Sequence, residues 1–129
     1  MARALALKCR WRMAAAPAVR NGDRQAAKEL VPLAEENLEA LRALRRAWYN
    51  QWMAVNKPFG FEVLDIRLGG AIARFETARD RMAEFAQGTL EDIPELREEK
   101  LPYHTDEKGQ YVCRNLWAHM VTPSRMGQE

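Results

Sequence analysis

The chain has few of the residues that build metal centres and covalent cross-links. Among its 129 residues are 2 cysteines and 2 histidines, namely Cys9, Cys113, His104 and His119. Two cysteines allow at most one disulfide, which favours a reducing compartment, and we expect a cytoplasmic protein. These side chains lack the paired spacing of a zinc site, and no Glu-x-x-His pair of a di-iron bundle occurs. The sequence therefore predicts no metal and no other cofactor.

An excess of one charge and a long apolar run are also missing. Lys and Arg number 20 against 18 Asp and Glu, which leaves a net charge of +2 and argues against a general polyanion binder. No run of about 20 apolar residues is present, so we expect no membrane partner. At 129 residues and 47% hydrophobic content, the chain suits one domain spanning 1–129 with its own core.

The first twenty residues carry basic side chains and no acidic ones. The basic residues are Arg3, Lys8, Arg10, Arg12 and Arg20. An organelle transit peptide has a similar composition, but we favour a first helix with a basic outer face. A stand-alone module that binds nucleic acid or a partner protein through this segment is the alternative function. Nucleic acid is disfavoured, because Trp11 is the one aromatic residue in the segment.

Turn and cap signals divide the chain into three helical segments. Asn21-Gly22 is a stop signal and Asp23 a suitable N-cap, while Gly88 is a suitable C-terminal cap. We predict helices over 1–20, 23–56 and 61–87, with the second broken or bent near Pro32 and the last turn of the first made irregular by Pro17. Residues 89–129 are expected to form a mostly irregular tail, with a short strand at 111–113. The predicted fold class is all-α, an antiparallel bundle of about three long helices.

An apolar stripe runs along the second segment in steps of three and four. Its members are Leu30, Ala34, Leu38, Leu41, Leu44, Trp48, Trp52 and Val55. Trp48, Tyr49 and Trp52 could suggest sugar stacking, but their place in or beside the stripe favours core packing.

The third segment carries the candidate site residues. Glu62, Asp65 and Gly69 fall on one flank of its apolar stripe, and Arg67 and Gly70 fall on the other. Two glycines inside a helix cost about 1 kcal/mol each relative to alanine, which suggests the close approach of another backbone. We therefore predict a docking surface made of these five residues. A single helix edge offers no cleft for acid–base chemistry, so we predict no catalytic residue.

A longer motif at the junction of the second and third segments indicates a family. It runs from Trp52 through Asn56-Lys57-Pro58-Phe59-Gly60-Phe61-Glu62-Val63 to Asp65-Ile66-Arg67-Leu68-Gly69-Gly70. Matching residues follow at Arg74, Arg81, Gly88, Ile93, Glu95-Leu96, Leu101-Pro102, Asn115 and Trp117. The chain resembles the C-terminal helical domain of bacterial β-N-acetylhexosaminidases of glycoside hydrolase family 20.

The resemblance implies a parent enzyme that removes terminal N-acetylglucosamine or N-acetylgalactosamine. In that family the acetamido group of the substrate is the nucleophile, and an Asp-Glu pair on a barrel assists it. A barrel needs about 250 residues, and Asp106-Glu107 follows no barrel strand, so no catalytic residue is carried over. The implied role is that of an accessory domain, whose partners are the catalytic barrel and a second copy of itself in a homodimer.

Overall fold

The computed structural model describes residues 1–97, and this part is all helical. It contains α1 (Ala2–Arg20), α2 (Arg24–Val55), α3 (Phe61–Gln87) and the short α4 (Pro94–Arg97). Residues 1–97 include no strand, which confirms the all-α class. The predicted strand at 111–113, and the predicted irregular tail beyond residue 97, lie outside the described residues.

Neighbouring helices run in opposite directions. The start of α1 lies beside the middle of α2, where Arg3 pairs with Glu36 at 3.2 Å. Further along α1, the indole nitrogen of Trp11 donates to the Leu30 carbonyl, which lies earlier in α2, at 3.1 Å. Antiparallel packing follows from the short loops that join consecutive helices.

The ends of the helices lie where the cap signals predict. The Asp23 side chain accepts a hydrogen bond from the Ala26 amide at 2.9 Å, as an N-cap residue does. Gly88 has a φ of +86° and ends α3 in the left-handed conformation that favours glycine. Beside it, an Arg24 guanidinium nitrogen donates to the Phe85 carbonyl and so ties the start of α2 to the end of α3.

Of the two alternatives predicted at Pro32, a broken helix or one bent helix, the break is wrong. α2 is one helix of 32 residues that passes through Pro32, and α1 likewise contains Pro17. A proline inside a helix costs about 3 kcal/mol. Leu30, Ala34 and Leu38, at most 5% exposed, surround this position in α2, and their burial offsets that cost.

The hydrophobic core occupies one end of the molecule, which we call the proximal half (residues 1–38 and 75–97). Its buried members are Trp11, Ala15, Ala18, Val19, Ala27, Leu30, Ala34, Leu38, Phe75, Met82, Phe85, Ile93 and Leu96. The reason is a difference in helix length, since the 19 residues of α1 span about 28 Å and the 32 of α2 about 48 Å. α1 begins opposite Glu36, so the rest of α2 extends beyond it.

The remaining part, the distal arm (residues 39–74), consists of α2 and α3 alone. Phe61, 6% exposed, is the one buried side chain among the residues of this arm. Trp48 and Trp52 are half-buried and lie outside the core cluster, although Trp52 packs against Phe61 with 6.1 Å between ring centroids. The predicted core stripe of α2 is thus fully buried only in the proximal half.

Candidate docking surface

The five predicted docking residues all lie within the first three turns of α3, in the distal arm. The chain itself uses both carboxylates. Asp65 accepts a hydrogen bond from the Arg45 guanidinium of α2 at 2.6 Å. Glu62, in the first turn, accepts from the Gly60 amide at 2.7 Å and so satisfies a backbone donor at the start of α3. The structure therefore does not place the two carboxylates in a shared cleft.

The Asp65 contact is one of three ion pairs that join α2 to α3. They are Arg42–Glu76, Arg45–Asp65 and Arg79–Glu35. The hydrogen bond and the charge of Asp65 raise the pKa of Arg45 above its ordinary value. The hydrogen bonds that Arg79 donates to Asp80 and to Glu35 raise the pKa of Arg79 in the same way. Exposed pairs of this kind contribute little to stability because water screens their charges, so they align the two helices more than they stabilise them.

The glycine pair does not meet another backbone within the described residues. A Cβ atom built on Gly69 or on Gly70 would have no neighbouring atom within 4 Å. The expected close approach is therefore absent from this part of the chain, because α3 has only α2 beside it in the distal arm. Gly70 and Arg67 are exposed and Gly69 is half-buried, so this stretch of α3 is open to contact from outside.

An apolar groove lies between the two helices of the distal arm. It has a volume of about 200 Å³ and is lined by Trp48, Gln51, Trp52, Val55, Asn56 and Leu64. Trp48 and Trp52 follow Leu30 and Ala34 by eighteen residues, which is five full turns, so they lie on the same face of α2. Among the described helices, α1 covers that face in the proximal half and does not reach it here. The groove could not be predicted from the sequence, because the apolar stripe of α2 does not show where along it α1 begins.

The basic residues of α1 do not form one common outer face. Arg3 pairs with Glu36, and Arg12 is half-buried against α3, whereas Lys8 and Arg10 are exposed. Arg12 lies at a second cavity, between α1, α3 and α4, which the sequence pattern did not indicate. The position of Arg12 around the helix axis could have indicated the cavity, since Arg12 falls beside the buried stripe of α1.

The described residues show no sign of a metal site or a membrane segment. Within residues 1–97 there is no group of three His, Cys, Asp or Glu side chains that could hold a metal ion. No helix in the same range is long and apolar enough to cross a bilayer.

A comparison with protein families identifies the family of the chain. The family model described as the Glycoside Hydrolase 20C C-terminal domain matches residues 1–115. The chain belongs to this family. Comparisons with curated proteins and with solved structures give no match. As a glycoside hydrolase 20C C-terminal domain, the chain is of a type that associates with the catalytic domain of a parent protein.

Proposed function

We propose that this glycoside hydrolase 20C C-terminal domain is a non-catalytic accessory domain that docks through its distal arm. Its partners are the catalytic barrel of a β-N-acetylhexosaminidase and a second copy of the chain. The observation that carries the proposal is the uncovered face of α2, where Trp48, Trp52 and Val55 line an open groove. An apolar face of this kind, with the polar Gln51 and Asn56 at its side, is typical of an interaction site. The cytoplasm is the location we propose, on the cysteine content alone.

The residues of α3 complete the proposed surface. Arg67 is exposed beside the groove residue Leu64, and it provides the planar donor set that a partner carboxylate accepts best. Gly69 and Gly70 lack a Cβ and have open space above them, so a partner backbone can approach α3 closely at this point. Glu62 and Asp65 contribute indirectly. Glu62 accepts a hydrogen bond from the Gly60 amide at the start of α3, and Asp65 pairs with Arg45 and so fixes the position of α3 against α2.

The same contacts support a role without catalysis. A carboxylate pair that hydrolyses a glycoside faces a substrate cleft from two sides. Asp65 is instead engaged by Arg45, and Glu62 by the Gly60 amide. We expect no turnover of a chromogenic N-acetylhexosaminide by the chain alone, and turnover would contradict the assignment.

Sedimentation velocity over a range of protein concentrations tests the docking surface on the chain itself. We expect a dimer whose fraction rises with concentration. Val55→Glu places a charge on a groove residue that is 75% exposed, so it weakens pairing while leaving the fold intact. Arg67→Glu has the same expected effect, about tenfold in the dimer dissociation constant, which corresponds to the loss of one charge-assisted contact.

Met13→Glu is the matched control. Met13 is 77% exposed and lies on α1 in the proximal half, so the same charge is added to an equally exposed apolar residue outside the arm. This variant should dimerise like the wild type. A strictly monomeric wild type, or an equal loss in Met13→Glu, would rule out self-pairing through the arm.

A further inference from the structure

A second cavity lies between α1, α3 and α4, on the proximal half and the adjoining end of the distal arm. It has a volume of about 170 Å³. Its apolar lining comes from Trp11, Ala78, Ile93 and Leu96, and its polar lining from Arg12, Arg74, Thr77, Arg81 and Glu95. Three guanidinium groups and one carboxylate therefore share a small space with an apolar wall.

The charges of this cavity are only partly compensated within the described residues. Arg81 pairs with Glu95 at 2.7 Å. The Arg12 nitrogen Nη1 is buried and has no hydrogen-bond partner in residues 1–97. No ion pair joins Arg12 or Arg74 to an acidic side chain in the same range. A buried donor on a cation is costly to leave unpaired, so this pattern points to an anion that completes the site.

Size and lining restrict the anion. Ligand pockets for larger molecules occupy about 300–1,000 Å³, so a cavity of about 170 Å³ excludes a disaccharide and admits a compact group. The Trp11 ring and the Ile93 and Leu96 side chains favour an apolar body over a fully hydrated ion. The buried nitrogen of Arg12 and the exposed guanidinium of Arg74 suit a carboxylate, which accepts hydrogen bonds from two guanidinium groups through its two oxygens.

We infer that this cavity binds a carboxylate on a short apolar stem. Arg12 and Arg74 hold the carboxylate oxygens, and the stem lies against Trp11. A free small-molecule carboxylate and a glutamate side chain of a partner protein share this chemistry. The inference does not depend on the proposed function, because the cavity and the groove of the distal arm share no lining residue.

Titration of the full ¹⁵N-labelled chain, followed by NMR, tests the site. The reporter is the Trp11 indole N–H, which donates to the Leu30 carbonyl at 3.1 Å and belongs to a residue that lines the cavity. The probes are pentanoate, N-acetylglutamate N-methylamide and pentanol, each at constant ionic strength. We expect a saturable shift of this signal with at least one carboxylate and none with pentanol.

Substitution of the two arginines provides the second measurement. Arg12→Gln and Arg74→Gln each remove a charge and keep a side chain of similar shape, and each should weaken carboxylate binding about tenfold. Arg10→Gln removes a charge from an exposed position on the same helix as Arg12, so it should leave binding unchanged.

The probe that shifts the Trp11 indole signal identifies the kind of ligand. A shift with pentanoate alone indicates a free carboxylate as the ligand, and a shift with the blocked glutamate indicates a partner side chain. The inference is overturned if neither carboxylate gives a saturable shift or if pentanol binds as well as pentanoate. An equal loss in Arg10→Gln would likewise overturn it, since binding would then follow the net charge alone.

Discussion

At the scale of single residues, Asn37 is a polar side chain in a fully buried position. It lies in α2 at 0% exposure, and neither its amide nitrogen nor its amide oxygen has a hydrogen-bond partner in residues 1–97. An unsatisfied buried polar group costs about 1–3 kcal/mol. Asn37 therefore lowers the stability of the proximal half, where the hydrophobic core lies.

Replacing Asn37 should stabilise the domain. Asn37→Leu fills a similar volume with an apolar group, and we expect the free energy of unfolding to rise by about 1–2 kcal/mol. Urea denaturation followed by circular dichroism measures the change. Asn50→Leu, at an exposed position of the same helix, is the control and should change little. A loss of stability in Asn37→Leu would show that the amide is hydrogen-bonded to bound water.

At the scale of the helix, the glycines of α3 differ in what they require. Gly69 and Gly70 are interior residues with room for a side chain, whereas Gly88 has a φ of +86° that a residue with a Cβ rarely adopts. The first two are therefore unfavourable for the isolated helix, and the third is required by the way the helix ends.

Alanine substitutions should separate these two roles. Gly69→Ala and Gly70→Ala should each raise the free energy of unfolding by about 1 kcal/mol, because alanine is the better helix former. Gly88→Ala should lower it by about 1 kcal/mol, because of the positive φ. Thermal and urea denaturation measure the increase and the decrease in the free energy of unfolding.

The same variants bear on docking. If a partner backbone approaches α3 here, Gly69→Ala and Gly70→Ala will weaken dimerisation while they stabilise the monomer. Destabilisation of the monomer by either variant would mean that the chain itself closes on the glycine pair.

At the scale of the whole molecule, the two ends differ in how many helices enclose them. The proximal half has α1, α2, α3 and α4 around a buried cluster, and the distal arm has two helices with half-buried apolar residues. Local opening costs less free energy where few apolar contacts are broken. The arm should therefore open before the rest of the domain unfolds.

Hydrogen exchange can measure this difference. We expect amides of 44–70 to exchange at least about tenfold faster than those of 27–38 and 78–86 in dilute protein. Protection of the arm should increase with protein concentration if a second copy covers it. Equal protection of both ends at low concentration would contradict the division into a core and an open arm.

Much of the fold could be predicted from local sequence. Asp23 and Gly88 determine helix ends through hydrogen bonds and dihedral angles of their own neighbourhood, and both predictions are confirmed. The three long helices follow from apolar periodicity for the same reason. At Pro32 the local sequence left a broken and a bent helix open, and the burial of Leu30, Ala34 and Leu38 offsets the missing hydrogen bond of the continuous α2.

By itself, the sequence determined the helices, their order and the family, because caps, apolar spacing and the 56–70 motif are properties of neighbouring residues. Only the tertiary structure decided which part of each helix is covered. The partner of Asp65, the empty space above Gly69 and the groove beside Trp48 depend on how α1, α2 and α3 are placed relative to one another. That relation joins residues far apart in the chain, and the local periodicity of one helix carries no record of it.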